Sequence, residues 1–161
     1  TGAKPEDAPK RYAKWLDELL DPPVMKSYPT QAAVAERLQK TNPRLTDERA
    51  AFLVRHWAAQ NAAGEWEILG DPVHKQASPL PYHAEDIMAC WRRITAPVLW
   101  VEAADTNMWL WLGGPEEGRR EVDRRMKNIA DITPKMLPDA GHMLHHDQPE
   151  MLAAMIAQFL A

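Results

Sequence analysis

Two short apolar segments, "APVLWVEAA" and "DITPKMLP", constrain the fold of this 161-residue chain more than any other feature. Both carry β-branched and large apolar side chains, and both are shorter than a typical helix, so they predict buried strands. The charged segment "GPEEGRREVDRRMKNI" between them predicts an amphipathic helix, and "DQPEMLAAMIAQFLA" predicts a closing helix with a wide apolar stripe. Strands that alternate with helices in this way are typical of a parallel sheet in an α/β fold.

A sheet with these two strands alone would be incomplete. Parallel strands are normally buried on both faces, and only two such segments follow residue 93. The edges of an isolated pair would expose unpaired backbone groups and apolar side chains. We therefore expect that other chains complete the sheet or that this chain is a fragment of a longer protein.

The first part of the chain has a different character, with helical segments separated by prolines. Helices are predicted for "PEDAPKRYAKWLDELL", "TQAAVAERLQK" and "TDERAAFLVRHWAAQNAAG". Thr30 and Thr46 begin the last two segments and are predicted to cap these helices. The chain is accordingly divided into a mostly helical region, residues 1–93, and a strand–helix–strand–helix region, residues 94–161.

Composition disfavours several classes of partner. The net charge is −4 and no basic run occurs, which argues against a nucleic acid partner. Nothing approaches the roughly 18 consecutive apolar residues of a membrane span, so none is expected. The first residues lack the apolar core of a signal peptide, and Cys90 is the single cysteine. These two features together favour a cytoplasmic location.

Three of the six histidines lie in the short stretch "AGHMLHHD". The spacing of His142 and His146 is that of a zinc peptidase motif, but such motifs need a glutamate as general base, and none is present here. Asp147, with Glu150 three residues later, predicts a helix that starts after the histidines and leaves them on a loop. A metal site is therefore the least favoured interpretation, and no metal or cofactor is predicted.

A catalytic role for His142 is the stronger interpretation. His142 comes just beyond the second strand, and Gly141 before it would permit a sharp turn. Asp105 comes just beyond the first strand, and neighbouring parallel strands place their carboxyl ends at one edge, where α/β sheets bind ligands. A histidine base needs a carboxylate to orient it, so Asp105 and His142 are a candidate pair. The competing interpretation is an unrelated surface aspartate and histidine.

The segments "ITAPVLWVEAADTN" and "LPDAGHMLHHDQPEMLAAMIAQFL" also resemble the C-terminal part of the α/β-hydrolase fold superfamily. The resemblance covers residues 94 to 161 and implies that Asp105 is the acid and His142 the histidine of a catalytic triad. It also implies that residues 1–93 form a helical cap like the one that many members of the superfamily insert before these strands. The glycine usual in the acid turn is absent, which makes Glu102 a second candidate for the acid.

The nucleophile that the resemblance implies has no counterpart in the sequence. In the superfamily it lies in a Gly-x-Ser-x-Gly elbow ahead of the acid and the histidine. Ser27 and Ser78, the only two serines, lack flanking glycines, and Cys90 falls inside a predicted helix. The resemblance thus implies a partner, the N-terminal half of the same hydrolase as a separate or cleaved chain. We expect this chain to be inactive and unstable without it.

The function favoured by the resemblance is hydrolysis of an ester bond in a small apolar substrate. Large apolar side chains are predicted to line the substrate pocket: Trp15, Trp57, Trp66, Trp91, Trp109 and Met143. An epoxide hydrolase or dehalogenase, with an aspartate nucleophile, would use the same acid and histidine. A non-catalytic, hydrolase-like interaction module is a further candidate function, and a metal-binding protein is the least favoured one.

Overall fold

The computed structural model describes residues 4–161 and divides them into two compact units, residues 4–81 and Tyr82–Ala161. Residues 1–3 of the predicted cap region lie outside the described residues. The second unit begins at Tyr82 and includes the helix Ala84–Trp91. The division into a cap of residues 1–93 and a hydrolase core of residues 94–161 stays a prediction.

The N-terminal unit combines three helices with a small antiparallel sheet of three strands, in which Trp66–Ile68 is the central strand. Its elements are α1 (Ala8–Leu20), β1 (Ser27–Tyr28), α2 (Gln31–Thr41), α3 (Asp47–Trp57), β2 (Ala58–Gln60) and β3 (Trp66–Ile68). The predicted caps are confirmed, because the hydroxyls of Thr30 and Thr46 accept hydrogen bonds from the amides of Ala33 and Arg49. Two 3-10 turns, Pro5–Asp7 and Pro72–Lys75, complete the unit.

The C-terminal unit contains the two predicted strands, paired in parallel with Val98 opposite Ile132 and Ala103 opposite Leu137. Its elements are α4 (Ala84–Trp91), β4 (Val98–Ala103), α5 (Pro115–Met126), β5 (Ile132–Leu137), α6 (Leu144–Asp147) and α7 (Pro149–Leu160), with a 3-10 turn at Met108–Leu112. The prediction of an α/β fold with an incomplete sheet is confirmed. No helix within residues 4–161 is both long and apolar enough to cross a membrane.

The two faces of the β4–β5 sheet contact different helices. On one face, the rings of Trp100 and Trp91 of α4 meet edge to face at 5.9 Å, and α5 also packs against this face. On the other face, Ala103 and Leu137 are buried with Ala140 against Leu152 and Met155 of α7. The alternation of side chains along each strand explains why helices are needed on both sides.

Within residues 4–161, this sheet has two unpaired edges, one on β4 and one on β5. The carbonyls of Asp131 and Leu137 accept hydrogen bonds from β4, so the odd-numbered residues of β5 face β4 and Pro134 faces the other side. Proline has no amide hydrogen and is typical of an outermost strand. The amides of Val98 and Ala104 donate to β5. The amides of the odd-numbered residues of β4 therefore point to the unpaired edge of β4, called here the open edge. Among residues 4–161, no strand pairs with that edge of β4.

Candidate active site

The acid loop leaves the sheet at the carboxyl end of β4. The Ala104 amide continues the ladder by donating to the Leu137 carbonyl at 2.9 Å. The Asp105 amide then donates to the Ala140 carbonyl, also at 2.9 Å. This second hydrogen bond joins the loop that carries Asp105 to the loop that carries His142, two residues beyond Ala140.

The histidine loop is held by two features that differ from the sequence prediction. The backbone enters the left-handed region at Asp139, with φ of 55°, and not at Gly141. The Gly141 amide donates to the carboxylate of buried Asp147 at 2.7 Å. Asp147 was predicted to cap the closing helix, but it is the last residue of α6, and Gln148 precedes α7. Its carboxylate therefore fixes the turn that presents His142.

Asp105 and His142 are both exposed at this edge of the sheet. Their backbones are linked through Ala140, whose side chain is fully buried in the core below the two loops. Active sites of α/β proteins form at the carboxyl ends of parallel strands. Two exposed polar side chains on neighbouring loops above a tightly packed core are typical of such sites. The structure thus brings together the two loops that the sequence singled out.

Glu102 has a different environment from Asp105. One oxygen of its carboxylate accepts a hydrogen bond from the Trp100 indole at 2.9 Å, and the other forms an ion pair with Arg119 of α5. The Glu102 side chain is 12% exposed. Both oxygens of the Glu102 carboxylate are directed to Trp100 and to Arg119 of α5, so Glu102 links β4 to α5 and Asp105 is the better candidate for the acid.

The 3-10 turn Met108–Leu112, called here the aromatic turn, follows the acid loop and contacts His142. The ring of Trp111 lies 5.5 Å from the His142 ring at an interplanar angle of 83°. Trp109, one of the tryptophans predicted to line a pocket, packs beneath the guanidinium of Arg119 at 5.5 Å. Trp111 was missed because it follows Trp109 so closely that the sequence does not show which of the two faces the histidine.

The other two histidines pack against each other. The rings of His145 and His146 in α6 are 4.1 Å apart, and His146 is buried while His145 is exposed. Burial, and then the neighbouring His145, lower the pKa of His146, while Asp147 opposes this shift. Within residues 4–161, no group of three or more histidine, cysteine, aspartate or glutamate side chains is arranged to hold a metal ion.

Comparison with known proteins decides the family. The sequence profile of the alpha/beta hydrolase family matches residues 4–155. The chain belongs to the alpha/beta hydrolase family. The resemblance noted from the sequence is thereby confirmed, and the β4–β5 pair with its helices is part of a hydrolase fold. No curated protein matches the chain significantly.

Solved structures share the hydrolase fold at low sequence identity. A thioesterase domain from the curacin biosynthetic pathway has 21% identity, with a TM-score of 0.73 over 97% of this chain and 54% of its own. A hypothetical protein from Pseudomonas aeruginosa PAO1 has 18% identity and a TM-score of 0.75 over 99% and 55%. A Mycobacterium tuberculosis esterase has 15% identity and a TM-score of 0.66 over 96% and 47%. The chain spans about half the length of these hydrolase-fold structures.

The tryptophans and methionine predicted to line a pocket are divided between the two units of this hydrolase-family chain. Trp15 is half-buried on α1, Trp57 is 38% exposed at the end of α3, and Trp66 packs against the core of the N-terminal unit. Trp91 packs against Trp100, whereas Met143 is half-buried directly after His142. Met143 is therefore adjacent to the candidate base, and a pocket that joins all these residues stays a prediction.

Proposed function

We propose that this chain is the part of a hydrolase that carries the acid and the histidine, and that the hydrolase cleaves an ester bond of a small apolar substrate. His142 accepts the proton of the nucleophile and later activates water, and Asp105 orients the imidazole. The observation that carries this proposal is the hydrogen bond from the Asp105 amide to the Ala140 carbonyl. It joins the two loops at the edge of the sheet where such chemistry occurs.

The apolar character of the substrate is inferred from the side chains around His142. Trp111 contacts the imidazole, and Met143 follows it in the chain. Apolar surfaces beside a polar catalytic group are typical of pockets that bind an acyl or alcohol group.

The proposed partner is the N-terminal half of the same hydrolase, which would supply the nucleophile. Ser27 lies in β1 and donates its hydroxyl to Glu67, and Ser78 donates to the Leu80 carbonyl, so neither fits a nucleophile elbow. The open edge of β4 is the place at which strands of that half would continue the sheet. The term assembled hydrolase is used below for this chain together with that half.

The test is hydrolysis of a p-nitrophenyl ester with a short acyl chain by the assembled hydrolase. Replacement of His142 by Gln, or of Asp105 by Asn, is expected to lower kcat by about 10³–10⁴-fold, because the base is lost or wrongly oriented. His145→Gln is the matched control, since His145 is an exposed histidine in the next turn of the chain and should retain full activity.

Retention of full esterase activity by His142→Gln would contradict the proposal. It would favour a non-catalytic interaction module as the role of the chain. Loss of activity in His142→Gln but not in Asp105→Asn would leave His142 as the base and require another acid.

A further inference from the structure

The aromatic turn presents Trp111 to His142 although the indole is largely in solvent. The Trp111 side chain is 63% exposed, and its ring meets the imidazole at 5.5 Å in a nearly perpendicular arrangement. Aromatic rings prefer this geometry because the positive edge of one ring points to the negative face of the other. Trp111 is therefore exposed to solvent and, at the same time, in a favourable ring contact with the candidate base.

The rear side of the aromatic turn is fixed to α5. Gly118 of α5 is buried against Trp109 and Leu112, and a Cβ at this position would lie 2.8 Å from Cε3 of Trp109. Only glycine permits this close approach. The guanidinium of Arg119, the next residue, covers the Trp109 ring.

The same contacts tie the aromatic turn to the sheet. Arg119 forms an ion pair with Glu102 of β4, three residues before Asp105. The loop that carries His142 is tied to the end of β4 through Ala140. Both partners of the Trp111–His142 contact are thus fixed to one strand, so the contact is not the chance meeting of two mobile loops.

We propose that Trp111 is a positioning residue, which holds the His142 imidazole in one orientation at the edge of the sheet. The catalytic consequence rests on the function proposed above, whereas the contact itself does not. A side chain that restricts the base to one rotamer lowers the cost of reaching the reactive geometry, and a displacement of about 1 Å can cost about 10²-fold in rate.

The first measurement is independent of catalysis. NMR spectra of the assembled hydrolase with labelled histidine would report the imidazole C–H resonances of His142, which the indole ring current displaces. Trp111→Leu should shift these resonances, and Trp111→Phe, which retains an aromatic ring, should shift them less. Leu110→Ala is the matched control, because Leu110 lies in the same turn and is 74% exposed. It should leave the resonances unchanged.

The second measurement separates kcat from KM. Trp111→Leu should lower kcat by about ten-fold with a smaller change in KM, because leucine keeps the substrate side apolar whereas orientation of the base matters in the chemical step. Trp111→Phe should restore most of kcat, and Leu110→Ala should match the parent protein. If Trp111→Leu does not fold, the Phe variant and the NMR comparison with Leu110→Ala still decide.

The outcomes distinguish this inference from the proposed function. Resonances of His142 that do not respond to either Trp111 substitution would overturn the inference, whatever the activity. An unchanged kcat in Trp111→Leu, with shifted resonances, would overturn the positioning role. A parent protein that hydrolyses no ester, with the resonance shift intact, would overturn the proposed function and leave the contact established.

Discussion

At the scale of single residues, His146 is a buried titratable side chain close to the candidate site. It is 8% exposed, and burial and the contact with His145 both favour its neutral form. A histidine whose folded pKa lies below its ordinary value of 6.5 takes up a proton more readily in the unfolded chain. The contribution of His146 to the free energy of unfolding is therefore present at pH values above 6.5 and is lost as the pH falls below 6.5.

We expect the free energy of unfolding of the assembled hydrolase to decrease as the pH falls below about 6.5, by at most about 1.4 kcal/mol per pH unit from this one group. His146→Gln should flatten that part of the profile, measured by urea unfolding at several pH values. His145→Gln removes only the repulsion and should flatten it less. Identical slopes in the parent and in His146→Gln would show that another group is responsible.

The sequence alone was sufficient to locate candidate site residues that follow the ends of the two six-residue strands. Asp105 and His142 follow apolar segments whose ends are visible in the sequence, and the structure places their loops together. Contacts that depend on tertiary packing could not be located. Trp111 faces the histidine because Trp109 occupies the space above Gly118, and Asp147 accepts from Gly141 because α6 turns it inward.

At the scale of elements, the two edges of the β4–β5 sheet have opposite properties. Pro134 removes an amide from the outer edge of β5, whereas Val101 of β4 directs its amide to the open edge. The first edge is closed to a further strand at this position, and the second offers an unbroken row of donors and acceptors. The sheet of the assembled hydrolase should therefore continue from β4.

Proline substitutions test this asymmetry. Val101→Pro should destabilise the assembled hydrolase by about 1–3 kcal/mol, because it leaves a buried acceptor of the neighbouring strand without its partner. Met136→Pro is the matched control, since the Met136 amide points outward on β5 as Pro134 does and the side chain is 55% exposed. Urea unfolding measures both. A cost for Met136→Pro that equals that for Val101→Pro would contradict pairing at β4.

Element length decided which strands could be predicted. The six-residue strands β4 and β5 carry enough apolar side chains to be recognised, and the helices have caps and periodicity. The strands β1 and β2 have two and three residues, too few to show any alternation. They form because Tyr28 and Ala58 join a core with Val34 and Val54, which only the folded unit brings together.

At the scale of the whole molecule, many large apolar side chains remain in contact with solvent. In the C-terminal unit, Leu110, Trp111, Met136, Met151, Ile156 and Leu160 are all more than 40% exposed. The chain also spans about half the length of the hydrolase structures that it matches. Many exposed apolar side chains together with an unpaired strand edge are typical of a surface that binds another protein segment.

We therefore expect this chain to lack a stable cooperative fold when it is produced alone. A two-stranded parallel pair is too small to stabilise its own packing, and the open edge of β4 favours association. Size-exclusion chromatography and urea unfolding of the isolated chain should show aggregates or a broad, non-cooperative transition. Co-production with the half that carries the nucleophile should yield one species with a sharp transition, because the new strands pair with β4 and cover the apolar faces. A monomeric isolated chain that unfolds cooperatively would contradict the expectation and show that residues 1–161 form a self-sufficient domain.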